Sequence, residues 1–181
     1  FSMPKIISTG QGGALITDND ELAARIRKLK DFGRSGGGND VHETIGFNFK
    51  FTELQACIGI EQMKKLDERV EIKKSLFKKY YDQLQDIEEI ELFEHNLDFT
   101  APWFIDCKAK SRNSLMEFLK ENNIGSRVMY PPLNKQKAYN IDGEHHISNS
   151  IGELGLWLPS YAQLTDHDIS HITSTIKNFY S

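Results

Sequence analysis

The first third of the chain contains one strand-like segment and no second strand to pair with it. The segment GGALITD follows a glycine-rich turn, and β-branched Ile16 and Thr17 lie in its short apolar run. A lone strand cannot bury its faces or pair its backbone hydrogen-bonding groups. We therefore expect the N-terminal third to belong to a larger folding unit, whose other strands these residues do not contain.

Helical periodicity is clear on both sides of a glycine-rich loop. In DELAARIRKLKDFG an apolar stripe predicts a helix that Asp20 caps and Gly33 ends. The loop GRSGGGNDVHETIGFNFK follows, and Thr52 with Gln55 then forms a capping-box signature for the next helix. Because an apolar stripe continues to Gln85, we predict a long helical stretch with one break.

The residues after this stretch follow a mixed strand and helix pattern. IEEIELFEHN and APWFIDCKAK are predicted strands, SRNSLMEFLKENNIG a helix, and SRVMYPP a strand stopped by two prolines. SNSIGELGLWLPSY and TDHDISHITSTIKNFYS are predicted to be two further helices, the second capped by Thr165 or Asp166.

This order of elements predicts the α/β fold class and a chain in three parts. Residues 1–50 are expected to be the end of a larger domain. Residues 51–87 are expected to be linking helices, and residues 88–181 a small C-terminal α/β domain.

Charge and composition exclude several classes of function. The 181 residues carry 22 Lys and Arg against 26 Asp and Glu, a net charge of −4, and the two signs are interleaved. No nucleic acid is expected as a partner, and no membrane, since no apolar run approaches the ~20 residues that span a bilayer. No signal peptide precedes the first apolar segment, so the expected location is cytoplasmic. Cys57 and Cys107 are expected to be small buried residues rather than a disulfide.

Lys5 is the first candidate for chemistry. It lies in the loop FSMPKIIS, between apolar residues and five positions before a glycine turn. Apolar surroundings lower the pKa of a lysine, and its neutral amine can form a Schiff base with an aldehyde. The alternative is a lysine whose charged end reaches solvent from a surface loop. The residue types alone leave both interpretations open.

The order of several motifs along the chain resembles one enzyme family. FSMPK, GQGGALIT, IGFNFKFTELQACIG, IGSRVMYPPLN and GLWLPS are together similar to the C-terminal half of the DegT/DnrJ/EryC1/StrS family of sugar aminotransferases. These are fold type I enzymes that depend on pyridoxal 5′-phosphate. The resemblance implies transfer of an amino group, with glutamate as donor, to a nucleotide-linked keto-sugar. FSMPKIISTGQGG is most similar to enzymes of the perosamine synthase type, which act at C4 of a 4-keto-6-deoxyhexose.

The resemblance assigns cofactor contacts to two residues. Lys5 matches the lysine that holds the cofactor covalently and moves a proton during transfer. Asn48 matches an asparagine that reaches the cofactor phosphate of the other subunit, which implies a homodimer with shared active sites. On sequence alone, Asn48 is equally well explained as a turn residue before the helix that starts near Thr52.

The resemblance also implies substrate contacts. Lys50 falls where family members often carry Arg or Lys beside the substrate. Arg127, Tyr130 and Asn134 lie in the segment that approaches the sugar nucleotide. The family often has His where Asn134 stands, so this position departs from the family pattern.

Several parts of the family's active site have no counterpart in these residues. The serine that binds the phosphate would stand one position before Phe1, and the acidic and aromatic residues that contact the cofactor ring would lie further upstream. We therefore expect an incomplete fragment or part of a longer polypeptide, inactive by itself. Two alternatives stay open: a non-catalytic relative that binds a sugar nucleotide or the cofactor, and a sugar dehydratase of the same fold. The dehydratases replace the lysine by histidine, so Lys5 argues against the second.

The remaining candidate sites are weaker. His145 and His146 are adjacent, with no Cys or carboxylate cluster to complete a ligand set, so no metal is predicted. GQGG and SGGGN lack the strand and helix context of a phosphate-binding loop. Trp103 and Trp157 are expected to be core anchors, with a nucleotide groove as the alternative for Trp103.

Overall fold

The computed structural model describes residues 1–36, 40–139 and 141–181, and it divides into two compact units, Phe1–Leu66 and Asp67–Ser181. Within the described residues, the first unit consists of helices and loops and the second contains an antiparallel sheet covered by helices. The predicted α/β class is confirmed. Part of the predicted glycine-rich loop, residues 37–39, lies outside the described residues.

Capping interactions determine where helix α1 (Asp20–Lys30) begins and ends. The Asn19 side chain accepts a hydrogen bond from a first-turn N–H at 2.9 Å. Asn19 keeps the extended backbone of an N-cap while Asp20 is already helical, so the prediction of Asp20 as the cap is wrong by one residue. Gly33 has a positive φ of 78°, and its N–H bonds a last-turn carbonyl at 2.9 Å, which ends the helix as predicted.

The segment GGALITD does not form the predicted strand. Among the described residues none pairs with it, and Leu15 and Ile16 are 76% and 96% exposed. Strand propensity is a local property, whereas a strand exists only beside a hydrogen-bonded partner. The assignment of a strand is therefore wrong, and the expectation that its partners belong to a larger folding unit stays a prediction.

Helices α2 (Glu53–Met63) and α3 (Leu66–Leu84) confirm the predicted long helical stretch with one break. The predicted capping box is present: the Gln55 N–H donates to Thr52 Oγ1 at 3.3 Å, and the Thr52 N–H donates to Gln55 Oε1 at 3.1 Å. All residues of α2 are described and none of them is buried. Cys57, which was predicted to be buried, is therefore exposed.

The sheet of the second unit is built from short antiparallel strands. Its strands are β1 (Ile90–Leu92), β2 (Ile105–Ala109), β3 (Arg127–Val128) and β4 (Gly155–Leu158), in the order β1-β2-β4-β3. The unit also contains α4 (Arg112–Glu121), a 3₁₀ turn (Leu133–Lys135), α5 (His146–Leu154) and α6 (Asp166–Tyr180). Because β4 pairs with both β2 and β3, it organises the sheet.

One face of this sheet forms the hydrophobic core of the second unit. Cys107 of β2 lies opposite Leu156 of β4, and both are fully buried in one cluster with residues of α3, α4 and α6. Burial raises the pKa of the Cys107 thiol to about 12, so it stays protonated. Tyr80 of α3 is also fully buried, and its hydroxyl donates to the Pro159 carbonyl at 3.0 Å. This bond ties α3 to the end of β4.

The run GLWL is a strand, although the sequence pattern predicts a helix through it. Helix α5 ends at Leu154, and the next four residues are all buried in β4. A strand buried on both faces shows no alternation of polar and apolar residues, so periodicity cannot separate it from a buried helix. A Cβ at Gly155 would lie 2.4 Å from the Ile151 carbonyl oxygen and 2.7 Å from the Met129 sulfur. The turn from helix to strand therefore requires glycine.

Lys73 is a buried cation on α3. Its ammonium donates a hydrogen bond to the Ser160 carbonyl, just after β4. Burial lowers the pKa of Lys73 to about 8, and the nearby Asp106 carboxylate partly opposes the shift. The folded protein therefore releases this proton at a lower pH than the unfolded chain does.

We expect Lys73→Met to change how stability depends on pH. Between pH 8 and the unfolded value of about 10.4 the unfolded state binds the extra proton, so Lys73 makes the unfolding free energy rise with pH. The variant should lose this rise, roughly 1–3 kcal/mol. Urea unfolding followed by tryptophan fluorescence at pH 7.5 and 10 measures it. The exposed Lys78→Met on the same helix is the control, and a rise in Lys73→Met equal to that in the unmodified chain would contradict the assignment.

Candidate functional site

Lys5 lies in a loop whose base is closed by backbone hydrogen bonds. The Lys5 N–H donates to the Ser2 carbonyl at 3.1 Å, and the Thr9 N–H donates to the Phe1 carbonyl at 3.0 Å. The residue is exposed and is not enclosed by its apolar neighbours, which agrees with the second of the two interpretations that the sequence left open. The loop thus holds the backbone of Lys5 while its side chain stays accessible.

Helix α2 holds the other end of this loop. Gln55 Nε2 donates to the Gln11 carbonyl at 3.3 Å, while Gln55 Oε1 completes the capping box. Thr9 is buried, and a Cβ added at Gly59 of α2 would come within 3.2 Å of the Thr9 methyl group. The first turns of α2 therefore fix the loop that carries Lys5.

Asn48 is held by the C-terminal end of α1. The Phe47 N–H donates to the Leu29 carbonyl at 2.7 Å, and the Phe49 N–H donates to the Lys30 carbonyl at 3.0 Å. These carbonyls have no partner within the helix. Asn48 is exposed, and its backbone is fixed on both sides.

Lys50 is oriented by a carboxylate and a ring. Its Nζ lies 3.1 Å from Asp31 Oδ1 and 4.8 Å from the centre of the Phe32 ring. Arg34 reaches the same carboxylate at 2.7 Å and lies 5.4 Å from the same ring. The Arg34 guanidinium, and then the Lys50 ammonium, hold the pKa of Asp31 below its usual range. Lys50 therefore shares a carboxylate with a second cation.

Two glycines allow the end of α1 to touch the segment that carries Asn48 and Lys50. A Cβ at Gly46 would lie 2.0 Å from the Gly33 nitrogen, and a Cβ at Gly33 would lie 1.8 Å from a backbone carbonyl oxygen of the facing segment. Phe32 has a positive φ of 58°, which is uncommon for a bulky residue. Close backbone packing at this point fixes where the following residues lie.

Arg127 and Tyr130 lie together on the sheet of the second unit. The Arg127 guanidinium carbon is 5.5 Å from the centre of the Tyr130 ring and 5.4 Å from that of Trp157. The two rings meet edge to face, with centres 4.8 Å apart and planes at 86°. Sequence reasoning did not connect Trp157 with this site, because the contact depends on the pairing of β3 with β4.

Asn134 holds the 3₁₀ turn to α5. Its Nδ2 donates to Asn149 Oδ1 at 3.0 Å. Among the described residues, its own Oδ1 is buried without a hydrogen-bond partner. Asn134 thus makes a structural contact that holds the 3₁₀ turn against α5.

The predicted site residues fall into two groups, one in each unit. The first unit contains Lys5, Asn48 and Lys50, and the second contains Arg127, Tyr130 and Asn134. The contacts that sequence reasoning missed are Asp31, Phe32 and Trp157. For Asp31 and Phe32 the sequence does contain a signal, because the charged and aromatic residues of DFGR directly follow a helix end. For Trp157 the sequence contains no such signal.

The weaker candidates from the sequence lie in different surroundings. His146 Nε2 lies 2.8 Å from Glu144 Oε2 on the surface. In the parts of the chain that the structure describes, no three His, Cys, Asp or Glu side chains form a group that could hold a metal ion. Nor does any helix in those parts have the length and apolar character needed to cross a membrane. Trp157 is buried as predicted, whereas Trp103 is half-buried.

Similarity to known proteins extends over almost the whole chain. The DegT/DnrJ/EryC1/StrS aminotransferase family matches residues 1–177, which include both groups of predicted residues. The chain belongs to this family. This is a family of aminotransferases, and membership implies pyridoxal phosphate as cofactor, as the motifs indicated.

Individual relatives agree with the family assignment. The GDP-perosamine synthase of Vibrio cholerae is 28% identical over 185 residues, which cover 98% of this chain and 50% of that protein. EpsN of Bacillus subtilis, whose name includes the words pyridoxal phosphate-dependent aminotransferase, is 25% identical over 190 residues, 99% of this chain and 49% of that protein. The sugar aminotransferase CalS13 from Micromonospora echinospora has a crystal structure that matches with a TM-score of 0.85 at 25% identity, over 96% of this chain and 49% of that one. The chain spans about half the length of the curated relatives it matches.

The residues of the first unit fit pyridoxal phosphate in chemical type. Lys5 offers an exposed primary amine for the aldehyde, and Asn48 offers an exposed amide that can donate to the phosphate. Both side chains project from backbone that hydrogen bonds hold in place.

We expect Gly46→Ala to disrupt the segment that carries Asn48. The new Cβ would lie 2.0–2.8 Å from backbone atoms of Phe32 and Gly33, so the backbone must move. A loss of about 2 kcal/mol or more in unfolding free energy is expected, measured by urea unfolding.

Gly36→Ala is the matched control for this variant, because no atom of the described residues beyond its chain neighbours lies within 4 Å of its Cβ position. Hydrogen exchange of the Phe47 and Phe49 amides reports the local effect directly. Equal protection of these amides in the two variants would show that the glycine contact does not fix the segment.

Proposed function

We propose that the protein transfers an amino group from glutamate to a keto carbon of a nucleotide-linked sugar, forming 2-oxoglutarate and an amino sugar. The observation that carries the proposal is the pair Lys5 and Asn48, an exposed amine and an exposed amide on fixed loops of a chain in this aminotransferase family. Similarity to a GDP-perosamine synthase supports C4 of a 4-keto-6-deoxyhexose as the carbon that receives the amino group.

Lys5 carries the cofactor in this proposal. Pyridoxal phosphate, when bound, supplies the electron sink that stabilises negative charge on the amino-bearing carbon. The Lys5 amine would then carry a proton between the substrate carbon and the bound cofactor. Because the loop is closed at Thr9 and attached to α2, the amine acts from a fixed backbone.

Asn48 binds phosphate across a homodimer interface in this proposal. Its side-chain amide can donate hydrogen bonds to a phosphate oxygen. The residues on either side of it are hydrogen-bonded to the end of α1, so its backbone is held in place. A residue that reaches the neighbouring subunit requires two copies of the chain, so the active sites are shared.

Arg127 and Tyr130 are the proposed main contacts to the nucleotide-linked substrate. Arg127 is exposed and makes no ion pair with any described residue, so its charge is available to a phosphate. Lys50 contributes less, because Asp31 already partly neutralises it. The motif resemblance also assigns Asn134 to the substrate, but its Oδ1 is buried, so a contact from this atom to a sugar hydroxyl would require the 3₁₀ turn to move.

Two other functions would use the same residues differently. A non-catalytic relative would bind cofactor or sugar nucleotide without amino transfer. A sugar dehydratase of this fold would carry histidine in place of Lys5. The half-reaction with glutamate separates these functions, since it needs only the cofactor and the amino donor.

We expect the full-length protein, loaded with pyridoxal phosphate, to form one equivalent of 2-oxoglutarate from glutamate without any sugar nucleotide. Lys5→Arg should slow this step by roughly a thousandfold, because the charge remains but the proton carrier is lost. Lys120→Arg, at an exposed position of α4, is the control. If the loaded, unmodified protein forms no 2-oxoglutarate, the aminotransferase assignment fails and the binding relative is favoured.

We expect Asn48→Ala to weaken cofactor binding about tenfold, the value of one hydrogen bond to a charged group. The unfolding midpoint should change little, since the side chain is exposed. Absorbance titration with pyridoxal phosphate measures the affinity, and Asn178→Ala on the exposed side of α6 is the control. The phosphate contact would be ruled out by equal affinities of Asn48→Ala and Asn178→Ala.

A further inference from the structure

Three side chains form a row across the sheet face opposite the hydrophobic core. Asp106 of β2 lies opposite Trp157 of β4, and Trp157 lies opposite Arg127 of β3. Residues directly opposite on neighbouring antiparallel strands project from the same face. Trp157 therefore stands between the carboxylate and the guanidinium.

The Trp157 ring is a rigid element of this row. It stacks on Phe104, with ring centres 4.1 Å apart and planes 13° apart, and Tyr130 meets it edge to face. Only 6% of Trp157 is exposed. A ring packed on two sides in this way cannot change rotamer without opening the structure.

The Arg127 guanidinium lies in the corner formed by Tyr130 and Trp157. Aromatic faces attract the guanidinium through its charge and leave its N–H donors uncommitted. Within the described residues, the Arg127 side chain forms neither an ion pair nor a hydrogen bond, and it is exposed. Its five N–H donors therefore have no acceptor in the part of the chain that the structure describes.

We propose that Trp157 is a positioning residue, which holds the Arg127 guanidinium in the orientation that binds the diphosphate of the nucleotide-linked substrate. The inference rests on the proposed function and names the group that Arg127 binds. A diphosphate suits the site, because adjacent phosphate oxygens accept two parallel N–H bonds from a planar guanidinium. An arginine already held by two rings loses less side-chain freedom on binding than a mobile one.

The first test needs no ligand. In the full chain labelled with ¹⁵N, the Arg127 Nε–H resonance should show a ring-current shift and restricted motion. Trp157→Leu should remove most of both signatures, and Trp157→Phe should keep most of both, because a ring remains. An Arg127 resonance that is the same in Trp157→Leu as in the unmodified chain overturns the proposal.

The second test measures binding of inorganic pyrophosphate and of GDP to the full-length protein by calorimetry. Trp157→Leu should weaken both roughly five- to tenfold, and Trp157→Phe less than about threefold. Arg127→Ala should weaken them further. In the Arg127→Ala background, Trp157→Leu should have no additional effect, because Trp157 acts through the arginine.

The remaining outcomes overturn the inference in different ways. A Trp157→Leu effect that persists in the Arg127→Ala background assigns Trp157 a general structural role. Equal weakening for guanosine and GDP assigns it a direct contact with the base. Failure of the unmodified protein to bind either diphosphate removes the ligand assignment, while the glutamate half-reaction, which uses no nucleotide, reports separately on the aminotransferase function.

Discussion

The hydrogen bonds between the GFNFK segment and the end of α1 are the constraint on which the candidate site depends. The Leu29 and Lys30 carbonyls would lack partners at the helix terminus, and the amides of Phe47 and Phe49 satisfy them. Asn48 lies between Phe47 and Phe49, so the hydrogen bonds that satisfy the end of α1 also fix the backbone from which the Asn48 side chain projects. Helix α2 fixes the loop that carries Lys5 in a similar way. Gln55 completes the capping box of the helix and also donates a hydrogen bond to the Gln11 carbonyl of that loop.

The two units are stabilised by different interactions. In the second, buried side chains from one face of the sheet and from α3, α4 and α6 form a continuous core. In the first, Thr9 and Gly33 are the only buried residues among those described, and apolar Ile16 is almost fully exposed. Order in this unit comes from helix caps and backbone hydrogen bonds. The candidate residues Lys5 and Asn48 therefore lie on exposed loops, where functional residues concentrate.

Local signals in the sequence predicted the helices well and the strands less well. The predicted capping box at Thr52 is self-contained within four residues, and α2 starts where it indicates. For α6 the sequence offered Thr165 or Asp166 as the cap, and the structure has Thr165. A strand forms only beside another strand, and the local sequence pattern does not reveal which segment that is. GGALITD has strand-like residues without a partner, and GLWL has partners on both sides but no alternation.

The site was predictable only in part, for the same reason. Motif resemblance identified Lys5, Asn48 and the Arg127 segment, but not what holds them. Trp157 meets Arg127 through strand register, and Phe32 reaches Lys50 through a left-handed turn. Neither relation has a fixed spacing along the chain, so neither can be found without coordinates.

Borohydride reduction of the full-length protein after incubation with pyridoxal phosphate, followed by peptide mass mapping, tests the central claim most directly. Reduction makes a covalent link between a lysine amine and the aldehyde permanent, so the modified lysine can be located. The account predicts one adduct, on Lys5. An adduct scattered over exposed lysines, or one confined to any lysine other than Lys5, would contradict the assignment of Lys5 as the residue that carries the cofactor.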